Sequence, residues 1–445
     1  MFIIKYLLPL FLTFTSVLGA NHDTIEKKWL SLSKEFNLNP NEHGFCYMYQ
    51  GEIFGTTAHL KSRLASTTKP ITSLMALETL GPNFQYETKV ISDGENIHLE
   101  GANDGMFSEE KIFYLIAALN ANGIVKLNTI SFDANTPIFA IALRPYMSMS
   151  EAWYSKEYNI EQLKEYFNLD NNKKIKTRLK EFLKNTKEER LKELGLPLKV
   201  SAYRMTVDNV VYSAANPIKD IKKTYLVQSP KLLTYLKFQN SVSHNWLSDI
   251  TYKSYGAQEY SKWYLQNLIE EKLGNDYFQK RIGFNDTEEN TYLYTGSGLD
   301  SKIDGKRVDN YATCAIVISS YQELENNLNQ SGHKLEQVLP IAGIDIGTLS
   351  KRLNSQRNLG SILAKTGTLM NTKSLAGKLS TKSGAIYFGF FHQVFKSNGQ
   401  DQYNAKIVQD LMTEFLIEEF AGAKKITNYT KPQSFLPLEG PIEEL

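Results

Sequence analysis

Three short clusters along the chain carry side chains suited to nucleophilic acyl transfer. The first, Ser66-Thr67-Thr68-Lys69, sets a hydroxyl and an amine three residues apart. A serine hydroxyl is a poor nucleophile and needs a base beside it. Positions i and i+3 share a helix face, so a helix here lets Lys69 reach Ser66. Pro70 marks where that helix begins, because proline is tolerated only in the first turn. Ser66 is therefore expected near the N-cap, where free amides favour developing negative charge. A lysine serves as a base only when neutral, and burial together with a second cation, Lys365, would lower its pKa.

The second cluster is Ser243-His244-Asn245 and the third Lys365-Thr366-Gly367. Ser243 can relay a proton to a leaving amine, and Asn245 can hold a substrate amide. Lys365 and Thr366 can bind a carboxylate, and Gly367 leaves room for a substrate backbone. The amides of Ser66 and Thr368 are candidates for an oxyanion hole. His244 reads as the variable middle residue of its cluster. Taken singly, Ser66 would be a helix cap, Ser243 and Asn245 loop polar groups, and Lys365 a surface strand residue. S-x-x-K by itself is weak, since about two chance copies are expected in a chain this long. The chain has four, at Ser31, Ser66, Ser108 and Ser331. Ser108 opens an apolar helix, but Glu109 and Glu110 should hold Lys111 charged. Ser331 lies in a polar loop and Ser31 close to the N-terminus. Only Ser66 opens an apolar helix with no acid nearby. Lys382-Ser383-Gly384 copies the third cluster but reads as a hairpin tip.

The elements that must position these residues are legible in outline. Residues 43–56 form a hairpin turning at Gln50-Gly51. The helix after Ser66 carries Ile71, Leu74 and Leu77 at helical spacing and stops at Gly81-Pro82. Residues 87–100 alternate as strands. A helix runs from Ser108 to about Asn122 and a strand from Val125 to Asp133. Residues 155–197 are charged, with Ile175, Leu179, Phe182 and Leu183 on one face, as one or two solvated amphipathic helices. Strand-like text fills 199–227, and helices 229–285 and 309–322. Three strands occupy 359–393, and a last helix runs from Asn404 to Phe420. Helices flanking a late antiparallel sheet, with an insertion between, make an α+β fold.

Composition excludes several classes. The 445 residues are 42% hydrophobic and 22% charged, which argues against a disordered chain. A formal charge of +2 argues against nucleic-acid binding as the main task. Residues 1–20 have the three-part pattern of a secretory signal, with Lys5, an apolar run to Leu18, and Gly19-Ala20 at the expected cut. The run is short for a spanning helix, which needs about 20 residues, although an uncleaved anchor is the alternative. Membrane contact is expected to be at most peripheral. The only cysteines, Cys46 and Cys314, lie in apolar runs and read as two isolated core thiols. A single disulfide is allowed in an exported protein but not demanded. The seven His show no ligand spacing, so no metal and no cofactor is expected.

The three clusters, in this order, resemble the active-site signature of penicillin-binding proteins and serine β-lactamases. RLASTTKPITSLMALETLG, GANDGMFSEEKIFYLIAALNANGI, TGSGLDSKI, LPIAGIDIGTLSKRL and AKTGTLMNTKSLAGKLST are similar to the D-alanyl-D-alanine carboxypeptidase/endopeptidase family typified by penicillin-binding protein 4, the class C low-molecular-mass penicillin-binding proteins. The resemblance implies a transpeptidase-like α+β fold, an antiparallel sheet flanked by helices, with a partly helical inserted domain. It implies an exported, periplasmic enzyme acting on peptidoglycan stem peptides through an acyl-enzyme on Ser66, with β-lactams as covalent inhibitors. Carried over, Ser66 is the nucleophile and Lys69 its base. Ser243 and Asn245 form the second element, and Lys365, Thr366 and Gly367 the third. The implied division is a leader at 1–20, catalytic halves at 21–90 and 228–430, an insert at 91–227 and a tail at 431–445. The aspartate/tryptophan-rich stretch expected after Ser131-Phe132-Asp133 is not recognisable, so the insert reads as shortened or remodelled. A β-lactamase is the less favoured alternative, because no second base of the E-x-x-L-N kind follows Ser243. The other alternative is an inactive homologue that binds peptidoglycan or a partner.

Overall fold

The structure is a computed structural model that describes residues 21–138, 155–256, 293–299, 301–303, 306–393, 399–427 and 436–445, together with Glu259 and Tyr429. The leader-like residues 1–20, most of the stretch after Asp133 and much of the helical text up to 285 lie outside the described residues. Helix α1 (His22–Glu35) leads into the hairpin β1 (Gly44–Tyr49) and β2 (Glu52–Phe54), turning at Gln50-Gly51 as the sequence implies. A short strand β3 (Lys61–Arg63) precedes helix α2 (Lys69–Leu80), which ends at Gly81 with φ +80°.

A second sheet follows in the sequence. Strands β4 (Glu87–Ser92) and β5 (Asn96–Glu100), helix α3 (Glu109–Ala121) and strand β6 (Lys126–Phe132) come first. Helices α4 (Lys156–Tyr166), α5 (Lys173–Asn185) and α6 (Glu188–Glu193) and strands β7 (Thr206–Tyr212) and β8 (Lys223–Gln228) complete it. The charged run from Lys173 to Gly195 is thus two helices, α5 and α6, with α4 ahead of it. Asn172 caps α5 by accepting from the amides of Lys174 and Ile175, which restarts the helix at the head of the charged run. Ile175 and Leu179 are buried under the second sheet's core, and the charges face outward. Lys111 of α3 pairs with Asp104, not with Glu109 or Glu110: both members of that ion pair are fully buried. Glu109 faces Arg178 and Tyr166 instead. On a helix, neighbours in sequence point to different sides, so adjacency did not make Glu110 a partner of Lys111.

Helices α7 (Leu232–Val242) and α8 (Asn245–Ser254) return to the first lobe. The short strands β9 (Ser301–Ile303), β10 (Lys306–Val308) and β11 (Tyr311–Thr313) precede the long helix α9 (Cys314–Gln330). Strands β12 (Ile362–Leu369), β13 (Thr372–Thr381) and β14 (Gly384–Gln393) follow, then α10 (Gly399–Glu419) and a terminal strand β15 (Glu443–Glu444). One sheet has the order β12-β13-β14-β1-β2, with every neighbour antiparallel. A second has the order β15-β8-β4-β5-β6-β7, with β5-β6-β7 parallel, and β9-β10 and β3-β11 form two small two-stranded sheets. This is the α+β architecture that the sequence pattern implies.

Alternation along β1 sorts its side chains between two layers. Phe45 and Tyr47 join α1 and α10 on one face, around Trp29, Phe388, Phe390 and Met412. Cys46 and Met48 join α2, α7 and α9 on the other, around Leu74, Ile316, Tyr321 and Phe391. Lys365 shares its face of β12 with Leu363, which packs in this second layer beside α2. The parity of β12 therefore aims Lys365 at the helix that follows Ser66. In the same layer Cys46 and Cys314 form a disulfide, correcting the expectation of isolated thiols. The register places Gly389 opposite Cys46. A Cβ on Gly389 would lie 2.8 Å from the sulfur of Cys314, so only glycine leaves room for the bond. Two apolar runs 268 residues apart carry no local sign that their strand and helix will stack.

Candidate active site

The nucleophile candidate sits in a 3₁₀ turn, Ala65–Thr68, that runs directly into α2. Ser66 is thus one turn ahead of the regular helix, and it is the one half-buried residue among otherwise buried neighbours in that turn. Ala65 adopts φ +50°, a left-handed conformation that costs a non-glycine residue about 1–2 kcal/mol. Neighbouring groups hold it there. The Leu64 amide donates to the Asn310 carbonyl at 2.9 Å. A Cβ on Gly298 would come within 1.8 Å of the Ala65 oxygen, so that loop can lie over the turn only as glycine.

Lys69 points back along the helix to Ser66. Its Nζ donates to Ser66 Oγ at 3.0 Å, to Asn245 Oδ1 at 2.8 Å and to the Ser297 carbonyl at 2.7 Å. The side chain is fully buried. Burial pushes its pKa down to about 7, against the opposing pull of the negative charge of Asp249.

A second pair faces this one. Helix α7 ends at Ser243, in the left-handed conformation with φ +59°. The Ser243 hydroxyl accepts from Lys365 Nζ at 2.8 Å, and the same amine donates to the Thr366 carbonyl at 2.9 Å. Burial first, and the charge of Lys69 second, hold Lys365 well below the ordinary lysine range. His244 has a structural task that the sequence reading did not assign. Its Nδ1 caps α8 by accepting from the Leu247 amide at 3.4 Å. Burial pushes its pKa down to about 3, which keeps the ring neutral as an acceptor.

The remaining candidates lie on β12. Thr366 donates its hydroxyl to Thr348 Oγ1 at 3.0 Å. Thr368 is exposed, and its hydroxyl accepts from Lys373 Nζ at 2.9 Å. A side chain at Gly367 would meet Ser374 Oγ at 2.1 Å, the Leu64 carbonyl at 2.9 Å and Ala65 Cβ at 3.0 Å. The space that glycine leaves is thus bounded by Ser374 of β13 and by the nucleophile turn, and β12 runs directly alongside that turn.

All eight residues singled out from the sequence, Ser66, Lys69, Ser243, Asn245, Lys365, Thr366, Gly367 and Thr368, lie on elements that meet at this one place. Four contributors were not singled out. Ser297 holds Lys69 through its carbonyl. Asp249 accepts from the Ser297 amide at 2.8 Å. Asn310 fastens the 294–295 segment to the nucleophile helix, accepting from the amides of Tyr294 and Thr295 and donating to Thr68 Oγ1. Thr348 meets Thr366. Only Asp249 had a local signal, since it stands four residues after Asn245 and therefore on the same face of α8.

The family described as "D-Ala-D-Ala carboxypeptidase 3 (S13) family" matches residues 48–150 and 198–418. Among solved structures, a predatory endopeptidase of Bdellovibrio bacteriovorus, in complex with an immunity protein, is 25% identical and superposes with a TM-score of 0.74. That likeness covers 89% of this chain and 97% of the other. Penicillin-binding protein 4 of Haemophilus influenzae, complexed with a β-lactam, shares the fold at a TM-score of 0.53 and 16% identity, over 86% of this chain and 99% of that one. A penicillin-sensitive carboxypeptidase A of Dictyostelium discoideum is 27% identical over 204 residues. That match spans 44% of this chain and only 35% of the relative.

Proposed function

The chain belongs to the D-Ala-D-Ala carboxypeptidase 3 (S13) family, and from that premise we propose that it is a serine-type DD-peptidase of peptidoglycan. The observation that carries this reading is the buried Lys69 amine, 3.0 Å from Ser66 Oγ with its pKa pushed down to about 7. An amine of that kind can accept the serine proton near neutral pH.

The chemistry follows from the two facing pairs. Ser66 Oγ attacks the carbonyl of the penultimate D-Ala while its proton passes to neutral Lys69. The amides of Ser66 and Thr368 receive the developing oxyanion. The proton held by Lys69 passes through the Ser243 hydroxyl, itself hydrogen-bonded to Lys365, to the departing amine as the peptide C–N bond breaks, and Lys69 is neutral again. Lys69 then takes a proton from the water that attacks the ester carbonyl and returns it to Ser66 Oγ as the ester C–O bond breaks. Lys365, Thr366 and Thr368 hold the terminal carboxylate, and Asn245 orients the stem-peptide amide. β-Lactams present a strained amide to the same serine and acylate it. The relatives named for penicillin sensitivity and solved with a β-lactam support that part of the reading.

We also propose that the enzyme works outside the cytoplasm. The Cys46–Cys314 bond suits an oxidising compartment, and peptidoglycan is assembled there. No helix among the described residues is long and apolar enough to cross a membrane. The second sheet, with a hydrophobic core of its own, supports reading an insert between two catalytic halves; that sheet spans Glu87 to Gln228 and also takes in β15 from the C-terminal tail.

Two measurements test this reading. Mass spectrometry of products from cross-linked peptidoglycan should show loss of terminal D-Ala, cleaved cross-links, or both, each blocked by penicillin. An untouched substrate that the protein still binds would favour the inactive homologue, and rapid turnover of the penicillin would favour a β-lactamase. Second, the rate of acylation by a fluorescent penicillin should rise with pH, with an inflection near 7, because only unprotonated Lys69 can take the serine proton. A rate independent of pH between 5 and 9 would remove Lys69 from the role of base.

A further inference from the structure

Lys69 is held from below by a loop that the three motifs do not contain. Its amine donates to the Ser297 carbonyl at 2.7 Å, a shorter contact than the one to Ser66. The amide of the same residue donates to Asp249 Oδ1 at 2.8 Å. Both backbone polar groups of Ser297 are thus engaged, one by the lysine and one by the carboxylate. The preceding residue is pinned as well. The Gly296 carbonyl accepts from Thr72 of α2 and from Ser248 of α8, each at 2.8 Å. A Cβ on Gly296 would lie 2.3 Å from the Ser248 oxygen, so the loop is seated tightly on α8. Asp249 and Asn245 stand one turn apart on α8, and both converge on Lys69, Asn245 directly and Asp249 through Ser297.

We propose that Asp249 is a positioning residue for the Ser66–Lys69 pair: its carboxylate fixes Ser297, whose carbonyl holds the Lys69 amine against the serine, and it sets an acid in electrostatic reach of that amine. The proposal rests on the reading of Ser66 as nucleophile and Lys69 as base.

The charges around the pair are few and have opposing effects. Lys69 is faced by the cation of Lys365 from β12, by the neutral ring of His244 and by Asp249, the last two from α8. Burial pushes the Asp249 carboxyl up, and Lys69 from α2, the hydrogen bonds from Ser297 and Lys253 on its own helix pull against that rise and favour its charged form. Burial holds both lysines below their ordinary range. Asp249 counters this, raising the pKa of Lys69 where burial lowers it. A peptidase needs both halves of that balance. A lysine too acidic would lose basicity for taking the serine proton, and one too basic would stay charged at neutral pH.

The variant Asp249→Asn separates the two roles, because its side-chain oxygen still accepts from the Ser297 amide while the charge is gone. The expected result is a penicillin-acylation profile whose inflection moves to lower pH by about one unit, with the plateau rate within about threefold of wild type. Asp249→Ala removes both roles and should lower the rate at every pH by about tenfold or more, since the loop no longer holds Lys69. Asp249→Glu, which keeps the charge, should retain an inflection near that of wild type. A direct readout follows Lys69 itself, as the pH dependence of its modification by acetic anhydride, quantified by mass spectrometry. That titration should show the same shift in Asp249→Asn even if the wild-type protein takes up no penicillin. A wild-type inflection in Asp249→Asn by both readouts would overturn the proposal. Absence of penicillin labelling in the wild type, with Lys69 still shifting, would overturn the peptidase reading instead.

Discussion

Ser66→Ala is expected to abolish both penicillin labelling and D-Ala release, with a loss of about 10⁴-fold or more in rate. Among the described residues no other hydroxyl is placed to substitute. The Ser243 oxygen accepts from Lys365, whereas Lys69, pushed down to about 7, points at Ser66. The groups act as a unit, so Lys69→Ala should fall nearly as far, and the double variant should be little worse than either single one. Additive losses would mean that the two residues act independently. Both variants should fold, because Ser66 is half-buried with its hydroxyl meeting Lys69, and the turn's own structure rests on Ala65, Asn310 and Gly298. Labelling that persists in Ser66→Ala would place the nucleophile elsewhere and sink the assignment. Stopped-flow fluorescence with a labelled penicillin, alongside a D-Ala release assay, measures both arms.

The disulfide carries the largest expected effect on stability. It closes a loop of 268 residues, from β1 in the central sheet to the first residue of α9. In the chain-entropy account a cross-link of that span restricts the unfolded chain by about 5 kcal/mol, and measured values for native bonds are typically about 2–5 kcal/mol. The native environment suits the bond, with both cysteines fully buried and Gly389 leaving room beside Cys314. Cys46→Ala with Cys314→Ala should therefore lower the melting temperature by on the order of 10 °C. Part of that loss is the cavity left by two sulfur atoms. Unfolding scans with and without reductant separate the terms, because reductant removes the cross-link and leaves the volume. The wild type should melt lower in reductant and the double variant should not respond. Equal melting of the wild type in both conditions, with both thiols alkylated after denaturation, would show that the cysteines are unpaired. The catalytic groups should be spared at low temperature, since the bond lies in the layer behind α2 rather than among the hydroxyls and amines.

The two variants fail for different reasons, and the difference separates what can be read locally from what cannot. Ser66 and Lys69 were legible because their relation is set within one helical turn. A three-residue spacing next to Pro70 already implies that hydroxyl and amine meet. The hairpin at Gln50-Gly51, the stop at Gly81 and the turn at Lys382–Gly384 were legible on the same ground, as each depends on turn chemistry a few residues long. The strand parity that places Lys365 and Gly367 on one face was also legible from a period of two. What that face would meet was not. Gly367 was expected to leave room for a substrate backbone, and the structure shows a second demand on it, since a side chain there would meet Ser374, Leu64 and Ala65. Lys111 looked bound to the adjacent glutamates, and its partner is Asp104, seven residues back.

The order of residues alone specified the chemistry available to this chain. It set a hydroxyl beside an amine, supplied a second hydroxyl and a second amine at distant positions, and laid out an α+β frame to carry them. The tertiary structure decided the environment of that chemistry: how far Lys69 is pushed down, which loop holds it, and whether the two cysteines meet. The reason is physical. Helical and strand periodicity act over a few residues and leave a pattern in side-chain types. Desolvation depends instead on which elements close over a group, and the Ser297 carbonyl that holds Lys69 is a backbone atom that every residue possesses. A contact of that kind leaves no mark in the order of side chains, and only the packing of α8 and its neighbouring loop against α2 brings it into being.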